Sequence, residues 1–127
     1  MAEQPTTAAP APAVVDEWLR AYGAAWAAHD GAAAAAIFTA DAAYHWGPFE
    51  PPLRGTDAIR ARWEQATADQ GEVRFDAEPL ARDGARVVAR WRVEMAGPGV
   101  ALDGIFVLDF AADGRCARLQ EWWMNVP

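Results

Sequence analysis

The sequence predicts an α+β fold, and three observations carry the prediction. Through the first half, apolar residues recur every three or four positions, the period of a helix. From Glu72 onward they alternate, the period of a strand. Turn signals at Asp83-Gly84, Gly97-Pro98-Gly99 and Asp113-Gly114 then divide the alternating half into hairpins. Helices gathered ahead of strands give three N-terminal helices packed on a curved antiparallel sheet. With 127 residues the chain is one domain long and able to bury about two thirds of its unfolded surface.

The elements follow in order. Residues 1–13, interrupted by Pro5, Pro10 and Pro12, read as a flexible Ala/Pro-rich tail, and residues 14–127 as the single domain. Val15, Trp18, Leu19, Tyr22, Trp26 and His29 form one stripe of a first helix over 14–29. Asp30 and Gly31 end it, and the Asp30 carboxylate is placed to cap a short helix over 32–38. A strand over 41–46 runs into a rigid loop at Gly47, Pro48, Pro51 and Pro52. Thr56 is expected as the N-cap of a third helix over 56–69 that presents Ile59, Trp63 and Ala66 on one face, before Gly71 stops it. Four hairpin-linked strands complete the chain.

Alternation divides each strand into an inner and an outer face. Val87, Ala89, Trp91, Val93 and Met95 share one face, opposed by Arg86, Arg90, Arg92 and Glu94; Leu102, Gly104, Phe106, Leu108 and Phe110 share the next, opposed by Asp103, Ile105, Val107 and Asp109. In the last strand Leu119, Glu121 and Trp123 fall inward. Glu121 is the one charged side chain that this parity puts on the apolar faces of the last three strands. An unpaired carboxylate there has its charged form penalised by desolvation and its pKa raised. Proteins seldom keep such a group without a partner or a task. A position near the strand end, salt-bridged or reaching water, is the alternative reading.

Composition closes several function classes. The chain has no Ser and no Lys, which removes serine nucleophiles, Schiff-base lysines and the lysine of a phosphate-binding loop. One cysteine, Cys116, and two histidines, His29 and His45, do not make a zinc site without several carboxylates, so no metal is expected, and no motif demands a cofactor. A net charge of -7 disfavours nucleic acid and anionic membrane as partners. The opening residues lack the basic start and apolar run of a signal peptide, and a lone cysteine fits a reducing compartment, so a cytoplasmic protein is expected. Acid–base work with carboxylates and phenols is the natural use of what remains.

The stretches Ile37-Phe38-Thr39-Ala40-Asp41-Ala42-Ala43, Pro51-Pro52-Leu53-Arg54-Gly55, Arg92-Val93-Glu94-Met95, Ala101-Leu102-Asp103 and Asp113-Gly114-Arg115 resemble their counterparts in bacterial ketosteroid isomerase. Together with the element order, they make the chain similar to the nuclear transport factor two-like superfamily and its SnoaL-like members. The resemblance implies a cone-shaped, cystatin-like fold enclosing a pocket between helices and sheet. The isomerase's catalytic set carries over unevenly. Its oxyanion-hole tyrosine falls on Tyr22, its general-base aspartate on Trp46 and its protonated aspartic acid on Phe106. Two of three roles are lost, so isomerisation by that mechanism is not expected. His45 and Glu50 lie beside the lost base, and His45 alternates away from it. Glu121 falls on a pocket-lining position, in a segment similar to the one that carries the water-activating aspartate of limonene epoxide hydrolase; the SnoaL-like polyketide cyclases also use a pocket acid. Arg92 and Glu94 have the local spelling of that hydrolase's remaining pair, but alternation turns both outward, to a salt-bridged surface or a dimer contact.

The expectation is therefore a pocket walled by Trp26, Tyr44, Trp46, Trp63, Trp91, Phe106 and Trp123, with Glu121 and Tyr22 as its catalytic groups. Its ligand is a hydrophobic small molecule, and the reaction is of isomerase, cyclase or epoxide hydrolase type. The alternatives are a binding protein for a hydrophobic or cationic ligand, and a pocketless assembly domain. Ile105 and Val107 on the outer sheet face, together with the resemblance, lead us to expect a homodimer through that face.

Overall fold

The computed structural model describes residues 9–127, so the first eight residues of the expected tail lie outside the described residues. Three helices, α1 (Pro12–Ala27), α2 (Gly31–Ala36) and α3 (Thr56–Thr67), accompany six strands: β1 (Phe38–His45), β2 (Leu53–Arg54), β3 (Val73–Asp83), β4 (Arg86–Met95), β5 (Val100–Phe110) and β6 (Cys116–Asn125). The strands form one curved, open sheet in the order β2-β1-β6-β5-β4-β3. Every pairing is antiparallel except that of β1 with β6, which is parallel. In that one pairing the sheet departs from the antiparallel arrangement expected of it.

Several element ends move from their expected positions, each for a local reason. The first helix begins at Pro12, inside the expected tail, because proline's fixed φ and missing N–H suit a helix's first turn. It stops at Ala27 rather than His29, which adopts a left-handed φ of 54° and donates from its ring to the Gly71 carbonyl at 2.6 Å. Asp30 caps α2 as expected, accepting from the Ala33 N–H at 3.0 Å. That helix ends at Ala36, and β1 starts at Phe38 instead of residue 41, since Phe38 is fully buried in register with Cys116. Gly55, at φ 86°, takes the N-cap position expected of Thr56, which becomes the first helical residue. At the other end of α3 the Thr67 hydroxyl donates to the Trp63 carbonyl at 2.8 Å, satisfying one of the last-turn acceptors two residues before the expected stop. Within the expected rigid loop, Leu53 and Arg54 pair with Tyr44 and Ala43, so irregular backbone is confined to residues 46–52.

The inner faces of the strands are those the alternation predicts. Val87, Ala89, Trp91, Val93 and Met95 are buried on β4, and Gly104, Phe106, Leu108 and Phe110 on β5; apart from Gly104 they form one core cluster with Val15, Trp18, Leu19 and Tyr22 of α1. Gly104 sits opposite Trp91 in the ladder, where a Cβ would meet the Trp91 ring at 2.6 Å and the Trp122 carbonyl at 2.5 Å. Its bare backbone lets the Trp91 indole lie against the sheet.

Candidate functional site

Glu121 lies on the inner face of β6, 5% exposed, and is the one buried carboxylic acid among the described residues. Across the ladder it faces Phe106. Among the described residues no hydrogen bond or ion pair reaches its carboxyl, so burial first and the negative charge of Glu50 second push its pKa well above the ordinary glutamate range. The Glu121 carboxyl is part of the wall of a cavity of about 190 Å³.

Aromatic side chains supply most of the remaining wall. Tyr22, Trp26, Tyr44, Trp46, Trp63, Trp91 and Trp123 all line the cavity. Phe106 does not. It stacks on Trp91 at 5.3 Å between centroids and meets Tyr22 edge-on at 5.1 Å, one layer beneath the wall, as core. Alternation places it on the correct face but carries no information on depth. Conversely, Thr67 and Gln70 belong to the wall and were not anticipated. The signal for them is present, since Trp63, Thr67 and Gln70 recur at helical spacing along α3 and just past its end. Gln70 accepts a hydrogen bond from the Trp26 indole at 2.5 Å, fixing that ring in the wall.

The two phenols form a pair, with 2.7 Å between the Tyr22 and Tyr44 hydroxyl oxygens. One hydroxyl donates to the other, which leaves the second proton of the pair available. Burial, followed by the charge of Glu121, raises both phenol pKa values well above the usual range, so both stay protonated. The Trp63 N–H lies close enough to favour ionised Tyr44 yet makes no hydrogen bond, and the Trp91 N–H has no acceptor among the described residues. The cavity thus sets one desolvated acid in a wall of phenol and indole rings. At its rim Trp46 stacks on Tyr44 at 5.2 Å and carries the Arg62 guanidinium 4.7 Å from its ring, while Trp123 is half-exposed.

The other sequence candidates lie elsewhere. His45 is outside the cavity, and partial burial, then Arg118 and Arg54, lower its pKa. Arg92 and Glu94 are exposed on the outer face of β4. Among the described residues there is no cluster of three or more His, Cys, Asp or Glu able to hold a metal ion, and no helix long and apolar enough to cross a membrane.

Residues 19–119 match the family model of the SnoaL-like domain. The chain belongs to the SnoaL-like domain family. That family, part of the nuclear transport factor two-like superfamily, includes isomerases and cyclases. No curated protein matches the chain. A solved protein of unknown function with a cystatin-like fold, from Methylobium petroleophilum PM1, is similar to this SnoaL-like domain with a TM-score of 0.75 at 20% identity, over 94% of this chain and 81% of the other. That likeness supports the cystatin-like fold.

Proposed function

We propose that this SnoaL-like domain is a small cofactor-independent enzyme in which Glu121 moves a proton on a hydrophobic small molecule, in a reaction of isomerase, cyclase or epoxide hydrolase type. One observation carries the reading: a glutamate 5% exposed, its carboxyl without a basic or hydrogen-bonding partner among the described residues, in the wall of an aromatic cavity. Desolvation brings the pKa of such a group nearer to neutrality, where it both accepts and returns a proton effectively. The Tyr22–Tyr44 pair supplies a donor for an oxygen that gains negative charge as the proton moves.

The test is turnover by Glu121→Gln on enone, polyketide-type and epoxide substrates. Loss of a positioned acid–base group lowers kcat by about 10²- to 10⁴-fold while the ligand still binds. Undiminished turnover by the variant contradicts the assignment. Tight stoichiometric binding without turnover by the wild-type protein moves the site to the alternative, a ligand-binding module.

A further inference from the structure

The cavity does not end at its rim. Trp46 and Trp123, which line it, also line an open groove of about 730 Å³. The groove exists because β1 and β6 part company: their pairing stops at His45 and Gln120, the chain turns away into residues 46–52, and Glu121–Asn125 keep β5 as their one ladder neighbour. Four of the six exposed large apolar side chains among the described residues collect here, namely Phe49, Trp122, Trp123 and Met124. Phe49 is 98% exposed and Met124 72%. Apolar side chains concentrated at the mouth of a pocket mark a binding surface.

Size argues in the same direction. At about 190 Å³ the inner cavity is smaller than the ~300–1,000 Å³ usual for small-molecule sites, and it holds little more than one or two rings. We infer that the groove is the second half of the same site. The cavity takes a ring-sized head, Trp46 and Trp123 form the waist, and the rest of an elongated apolar ligand lies along Phe49, Trp122 and Met124. The ligand's outer part is apolar, as Phe49, Trp122 and Met124 require. Of the charged groups on the wall, Asp103 is committed to Arg90 through two hydrogen bonds, and Arg92 stands across the ladder from it. Glu50, on the groove wall, adds a negative charge that opposes an anionic tail. The inference rests on the cavity being a ligand site, as proposed above, and adds the shape of the ligand and the residues that select it.

Calorimetric titration with phenol, 4-butylphenol and 4-octylphenol tests it. A methylene moved from water onto apolar surface raises affinity by up to about fourfold, so affinity should climb through the whole series. Phe49→Asp and Met124→Asp, both at exposed positions that folding does not depend on, should weaken 4-octylphenol about tenfold and leave phenol unchanged. Affinity that levels off beyond 4-butylphenol, or 4-octylphenol binding indifferent to both variants, overturns the groove and leaves the cavity standing. So does a change of oligomeric state in these variants without a change in affinity, which would mean that a second copy of the chain covers the groove. Failure of phenol itself to bind overturns cavity and groove together.

Discussion

At Glu121 two effects push in one direction: burial penalises the carboxylate, and Glu50 repels it. The folded state therefore holds this proton more tightly than the unfolded chain does. Stability from the protonated carboxyl is fully present below the ordinary glutamate value of about 4.3 and is lost as pH rises toward the folded pKa, at up to about 1.4 kcal/mol per pH unit. Denaturant unfolding at a series of pH values should show this decline in the wild-type protein and not in Glu121→Gln; parallel profiles for the two proteins would contradict it. Strand parity alone located Glu121, because a period of two assigns a face to every residue from one anchor. Parity does not measure depth, which is why Phe106 was expected in the wall and lies under it. Nor does it predict that Tyr22, from α1, and Tyr44, from β1, meet hydroxyl to hydroxyl, since that contact joins residues 22 positions apart on different elements.

The long, strongly periodic elements, α1 and the four strands from β3 to β6, were legible in the sequence. Their ends were not, because ends are set by single contacts such as His29 on Gly71 and Thr67 on Trp63. The two-residue β2 and the parallel pairing of β1 with β6 were also out of reach, since a two-residue strand has no period and pairing direction is decided by distant partners. Gly104 is the element-level feature with the sharpest consequence. A methyl group there collides with the Trp91 ring on one side and the Trp122 carbonyl on the other. Gly104→Ala should cost about 1–3 kcal/mol, read from the urea midpoint, and should loosen ligand binding because Trp91 lines the cavity. A midpoint equal to wild type would mean that the indole has room to move.

For the whole molecule, the sheet's outer face remains half-buried at Val88 and Val107, which pair across β4 and β5, while Ile105 belongs to the groove wall. We propose that a second copy covers this part of the face, beyond the groove and bordered by the Arg86–Asp109 ion pair. Light scattering should then give twice the 13.7 kDa chain mass for the wild type and the single mass for Val107→Glu. A monomeric wild type contradicts the proposal. The inner side of the sheet carries the central claim, that the fold uses its curvature to hold one desolvated acid among aromatic rings. The most direct measurement is the pKa of the Glu121 carboxyl by side-chain carbon NMR across pH, with Glu121→Gln assigning the signal. A value well above about 4.3 is the predicted result. A value at or below it would mean a solvated or ion-paired carboxylate and would contradict the account.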